Sequence, residues 1–187
     1  MATVDDLIQD ATRRMDKSVE SAQTEFSTLR TGRASPALLD RLQIDYYGQK
    51  TPLKQLATIG APESRLLTVQ PFDPNSLQSI ERAIQESDLG LTPSNDGKLI
   101  RLPIPQLTEE RRQELVKVVR GMAEDGRIAV RNVRRDVIHH LKELVDKGEV
   151  GKDEEHRAEE RVQKLTDEHT KKIDELLQRK EAEILEV

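Results

Sequence analysis

Apolar residues recur with helical spacing through the first thirty positions: Ile8, Met15, Val19, Ala22, Phe26 and Leu29, in 4-3-4-3 steps from Met15 onward. The spacing predicts a helix from about Asp5 to Leu29 with one seam to bury against neighbours. A longer line passes through Leu115, Val119, Met122, Ala129, Val133, Val137, Leu141 and Leu144. It predicts a helix that starts at Thr108 as N-cap, carries Glu109 and Glu110 at the positive end of its dipole, and stops at Lys147 and Gly148. A helix of about 40 residues would be roughly 60 Å long. The third line, Ala158, Val162, Leu165, Ile173, Leu176, Leu177 and Ile184, predicts a helix from about Asp153 to Leu185. None of the three can bury its stripe alone, so together they imply an elongated three-helix bundle whose last two members are joined by the turn "DKGEVGKD". Gly126 falls on the second apolar line and fits a close helix approach. Gly121 costs about 1 kcal/mol against alanine, and the pattern offers no reason for it.

Between the first and second helices the period changes. Leu42, Ile44 and Tyr46 alternate in "RLQIDYY", "RLLTVQPF" reads as another strand, and Ile100, Leu102 and Ile104 alternate after the turn "SNDG". In "FDPNSLQSIERAIQES", Asp73 suits an N-cap, Pro74 the first helical position, and Leu77, Ile80 and Ile84 share a face. All eight prolines lie between Pro36 and Pro105, and proline breaks helix interiors, so the chain divides there into two kinds of architecture. The expected fold is therefore α+β: a discontinuous bundle domain, 1–30 with 106–187, and an inserted small β/α/β domain, 31–105. Two connecting strands, near "RTGRASP" and "LPIPQ", join them, and paired connections favour bending over free rotation, as in a hinge.

Composition narrows the picture. Charged residues are 35% of the chain and aromatics 2%, a balance that suits long charged helices better than a wide globular core. The regular apolar spacing argues against disorder. Without cysteine there is no disulfide framework and no thiol nucleophile. No stretch approaches about 18 consecutive apolar residues and the N-terminus lacks a signal pattern, so a cytoplasmic protein without a membrane span is expected.

Charge poses the sharper question. The net charge is -5, yet "RIAVRNVRRD" holds four arginines, Arg127, Arg131, Arg134 and Arg135. At 100° per residue, Arg120, Arg127, Arg131 and Arg134 stay within about 60°, forming a ridge on the second long helix, with Arg135 one step off. Two readings compete. The ridge could pair with acids on its neighbours, above all on the third helix, where residues 148–187 hold 13 acids and 8 bases. It could instead bind phosphates, for which guanidinium forks are well shaped. The lack of an aromatic platform favours folded RNA, recognised through backbone and shape, over stacked single strands. Catalysis fares worse. His139 and His140 are adjacent, and His156 and His169 lie 13 positions apart, so no pair has the spacing of a helical zinc site. Glu154/Glu155 and Glu159/Glu160 read as a solvated face. No metal, cofactor or enzymatic activity is expected.

Taken in order, "RMDKSVE", "LRTGRASPALLD", "YYGQKTPLKQLA", "SDLGL", "LPIPQLTEERRQELVKVVRG", "AVRNVRRD" and "VQKLTDEHTKKID" resemble the ribosome recycling factors along essentially the whole chain. The resemblance implies a three-helix bundle and a smaller β/α/β domain joined by two hinge strands. It implies a monomer that binds the post-termination ribosome through large-subunit rRNA and acts with elongation factor G and GTP, the nucleotide belonging to that partner. On this resemblance Arg131, Arg134 and Arg135, with Arg127 of the ridge, would bind rRNA. Thr31, Gly32 and Arg33 match the first hinge strand, and Pro103, Ile104 and Pro105 the second. The small domain, with its Tyr46/Tyr47 hairpin, would face the other subunit and elongation factor G. A reading from another class is a helical module that binds proteins through its bundle faces without RNA.

Overall fold

The computed structural model describes residues 3–186. Helix α1, Val4–Thr28, begins at a capping box: the Asp6 N–H donates to Thr3 Oγ1 at 3.2 Å and the Thr3 N–H to Asp6 Oδ2 at 2.8 Å. The bond from the Thr3 backbone N–H, and after it the Thr3 side chain, hold the Asp6 carboxyl below its usual range. The chain then forms β1 (Gln43–Tyr46), β2 (Gln49–Pro52), a single turn α2 (Leu53–Leu56), β3 (Ala57–Glu63), β4 (Leu66–Pro71), α3 (Leu77–Glu86), β5 (Ser94–Asn95) and β6 (Ile100–Pro103). Two long helices, α4 (Glu109–Asp146) and α5 (Lys152–Leu185), complete it. The chain divides into two compact units: Thr31–Thr108, and the residues up to Arg30 with those from Glu109 onward.

In the smaller unit, β1 and β2 form a hairpin, and β3-β4-β6-β5 form an antiparallel sheet in that order. Tyr47 (φ 49°) and Gly48 (φ 79°) make the two-residue turn between β1 and β2, a left-handed pair of the kind that matches strand twist. Sequence alternation identifies β1, β4 and β6 but misses β2, β3 and β5. "QKTP" and "ATIGAPE" carry too little apolar alternation, and β5 is two residues whose strand character comes from pairing with Arg101 and Ile100. Asp73 caps the turn that opens α3, accepting from the Asn75 N–H at 2.9 Å. The apolar face of α3, Leu77, Ile80 and Ile84, is buried with Ile44, Leu67, Val69, Ile100 and Leu102. Tyr46 Oη donates to Asp73 Oδ2 at 3.1 Å, and burial, more than this bond, pushes the phenol above its ordinary value.

In the larger unit each of α1, α4 and α5 packs on the other two. The buried line of α4 is Leu115, Val119, Ala123, Gly126, Val130, Val133, Val137 and Leu141. This corrects the sequence expectation at three positions. Met122, Ala129 and Leu144 are only partly buried, and Ala123 and Val130 lie in the core beside the first two. A helix packed on two neighbours buries a wider stripe than a single seam, and periodicity alone does not fix its centre. Gly126 is where helices meet closely: a Cβ there would lie 3.2 Å from Ala22 Cβ and 3.2 Å from Ile173 Cδ1. The end of α4 closes in a left-handed glycine motif, with Gly148 (φ 72°) donating to Val145 O at 2.9 Å and Glu149 to Leu144 O at 2.9 Å.

Along α5, Leu165, Leu176 and Leu177 are half-buried, while the polar Thr166 and His169 are buried. Thr166 returns its hydroxyl to Val162 O. His169 faces two acceptors, Leu165 O at 2.7 Å and Asp16 Oδ1 on α1 at 2.8 Å, and so ties α5 to α1. Arg14 to Asp136 (2.6 Å) and Arg161 to Asp5 (2.9 Å) add ion pairs around the bundle.

Candidate RNA-binding face

The arginine ridge of α4 lies along the edge facing α5, and the structure separates its members. Arg120 meets Glu181, and Arg127 meets Asp174 at 2.6 Å, both acids being on α5. Arg127 also holds Glu124 of its own helix at 2.9 Å, and Arg131 reaches the other oxygen of Glu124 at 3.0 Å. The helical spacings of three and seven from Glu124 to these arginines make that sharing possible. Hydrogen bonds from Arg127 and then Arg131 hold the Glu124 carboxyl below its ordinary range. Burial works against the charge of Arg127, but Glu124 and Asp174 outweigh it and raise the guanidinium above its ordinary value.

Arg134 differs: its Nη1 donates to Oε1 of the neutral Gln163 at 2.8 Å, so its charge is not cancelled. Arg135 is exposed and meets no acid among the described residues. The acid-pairing reading thus holds for some members of the ridge and not for others. Arg120 and Arg127 fasten α4 to α5. Arg134 and Arg135 leave two uncompensated guanidiniums at the surface, with Arg131 half-compensated beside them.

Such a face can bind a polyanion. Among the described residues no group of three or more histidine and acidic side chains is placed to hold a metal ion. His169 is committed to the core, His139 lies 3.4 Å from Glu143 and His156 3.5 Å from Glu160. No described helix is long and apolar enough to cross a membrane.

The two connecting segments are seen at the ends of the smaller unit. Thr31 and Gly32 are half-buried and Arg33 is exposed. Gly32 has φ 76°, and a Cβ there would lie 2.9 Å from Leu107 Cγ, so the departing and returning segments touch. Pro103 is the last residue of β6, opposite Leu66, and the Ile104 N–H donates to Arg65 O at 2.8 Å. Pro103 and Ile104 are therefore built into the smaller unit, and Pro105 is exposed beyond them. At the turn between β1 and β2 Tyr47 is 79% exposed, and Phe72, after β4, is 66% exposed, in a chain with only two other aromatics.

The ribosome recycling factor family model matches residues 22–185. The ribosome-recycling factor of Rubrobacter xylanophilus is 59% identical over 187 residues, covering all of both chains. That of Natranaerobius thermophilus is 52% identical over 181 residues, 97% of this chain and 98% of the other. A solution structure of a ribosome recycling factor matches 98% of each chain at 43% identity with a TM-score of 0.77. The T. thermophilus ribosome recycling factor, in a model with E. coli elongation factor G bound to the E. coli post-termination complex, matches 98% of this chain and 99% of that one. The identity is 49% and the TM-score 0.66.

Proposed function

Because the chain belongs to the ribosome recycling factor family, we propose that it binds the post-termination ribosome through large-subunit rRNA and, with elongation factor G and GTP, separates the subunits and frees mRNA and tRNA. Arg131, Arg134 and Arg135 supply the rRNA contacts, with Arg127 holding the ridge in place. The carrying observation is the pair of uncompensated guanidiniums at Arg134 and Arg135 on a chain of net charge -5. Guanidiniums left without acids on an otherwise acidic protein suit a phosphate-rich partner. The protein acts as a monomer in the cytoplasm and is not an enzyme; GTP is turned over by elongation factor G.

The smaller unit moves on the segments through Thr31–Arg33 and Pro105–Thr108, with Pro103 and Ile104 as its rigid edge. That motion carries force from elongation factor G, whose side of the complex the Tyr46/Tyr47 hairpin faces. The supporting observations are the division into two compact units and the left-handed glycine where the two segments touch.

Co-sedimentation with isolated large subunits across a salt series tests the binding. Affinity should fall steeply as salt rises, because each phosphate contact releases counterions. Splitting on addition of elongation factor G and GTP tests the activity. Binding that is flat with salt, or that needs ribosomal proteins rather than rRNA, would favour the protein-binding bundle. A distance measured between one label in each unit should change when elongation factor G and GTP are added on the ribosome; an unchanged distance counts against the hinge.

A further inference from the structure

The side of α4 turned away from its two partner helices carries a second line of residues. Lys117, Gly121, Ile128, Arg135 and Lys142 lie within about 60° of one another, and all are exposed. Gly121, Ile128, Arg135 and Lys142 follow at two-turn intervals of about 10 Å.

Two members do not suit a merely solvated surface. Gly121 sits in mid-helix with no left-handed backbone, and an added Cβ would meet nothing within 4 Å. Its helix penalty therefore has no return inside the free protein. Ile128 leaves 44% of its surface exposed. The cations here, Lys117, Arg135 and Lys142, have no acid partner among the described residues. Between Lys117 and Lys142 the acid within this 60° line is Glu124, already taken up by Arg127 and Arg131, and the exposed Asp125 lies about 40° beyond its edge.

We propose that this outer line is the strip along which an rRNA strand approaches α4 most closely. Gly121 leaves room for the ribose-phosphate backbone where a methyl group would stand. Ile128 covers the apolar face of a sugar, and Lys117, Arg135 and Lys142 meet phosphates. Three unpaired cations and one neutralised acid favour RNA over a protein surface. The inference rests on the rRNA-binding reading above. It adds that the contact face is turned outward from the ridge, toward a glycine and an isoleucine that carry no charge.

The test uses the full chain with Gly121→Ala, Gly121→Leu and Ile128→Ala, and Arg134→Ala for comparison. Each is read by thermal melting alone and by co-sedimentation with isolated large subunits. Both Gly121 variants should melt above the unsubstituted protein, since alanine and leucine are better helix formers. Affinity should fall measurably for Gly121→Ala and by about tenfold or more for Gly121→Leu, as a crowded contact loses binding. Ile128→Ala should weaken binding with its salt dependence unchanged. If Gly121→Leu binds as tightly as the unsubstituted chain while Arg134→Ala is weakened, the strip is wrong and the rRNA reading stands. If the unsubstituted chain does not sediment with large subunits, both fail. A Gly121→Ala variant that melts no higher removes the premise.

Discussion

Arg127 and Arg134 sit two turns apart on one ridge of α4, yet their surroundings assign them opposite tasks. Arg127 keeps 20% of its side chain exposed and spans two acids, Asp174 at 2.6 Å and Glu124 at 2.9 Å. Both acids remain about half exposed, so each pair is discounted toward the surface value of about 0.2–1 kcal/mol. With the packing of the arginine stem, Arg127→Ala should cost about 1–2 kcal/mol. For a protein of this size that lowers Tm by roughly 2–8 °C. Arg134 makes one exposed hydrogen bond to a neutral amide, so Arg134→Ala should stay within about 0.5 kcal/mol. Binding should reverse the order. Losing a charge-assisted phosphate contact worth about 1.5–3 kcal/mol weakens large-subunit affinity by about tenfold or more. It also reduces the slope of log affinity against log salt by roughly 0.7–0.9. Arg127→Ala should leave both quantities nearly unchanged. Calorimetric melting and co-sedimentation at several salt concentrations read the two effects on the same preparations. If Arg134→Ala melts as low as Arg127→Ala while binding normally, the division of the ridge into fastening and contacting arginines is refuted.

Three further outcomes follow from particular contacts. Gly126→Val places branched carbons against Ala22, which has no rotamer to yield, and should cost about 2–3 kcal/mol in chemical denaturation. His169→Ala removes a buried ring and its links to Leu165 and Asp16, and should cost about 2–3 kcal/mol by the same measurement; an unchanged midpoint would deny it a role in joining α5 to α1. The Glu124 carboxyl is held below its ordinary range, so its contribution to stability is present above the unfolded carboxylate value and is lost as pH falls through the folded one. Glu124→Gln should therefore melt below the unsubstituted chain at neutral pH, and the two curves should converge on acidification.

How much the chain reveals by itself follows from the range of each interaction. Helices α1, α4 and α5 are legible because apolar spacing, Glu109 and Glu110 in a first turn, and Gly148 act within a few residues of one another. The proline-rich middle is legible for the same reason, as is the start of α3 at Asp73 and Pro74. Arginine clustering on one side of α4 also needs only the helical angle.

What sequence does not carry is the partner across space. The β3 strand pairs with β4 and β5 with β6 through backbone groups, which any side chains can supply, so weakly alternating segments become strands only when a neighbour fixes their register. The burial of Val130 rather than Ala129 depends on where α1 and α5 press against α4. His169 falls between Leu165 and Ile173 on the apolar line, but its partner Asp16, 153 positions away, comes within hydrogen-bonding distance only in the fold. The ridge divides by the same rule. Arg120 and Arg127 find acids on α5, 61 and 47 positions along the chain, whereas Arg134 finds a glutamine. Local sequence determined that positive charge would gather on α4. Tertiary pairing decided which of it is cancelled, because Coulomb energy depends on distance through space and solvent exposure rather than on order along the chain.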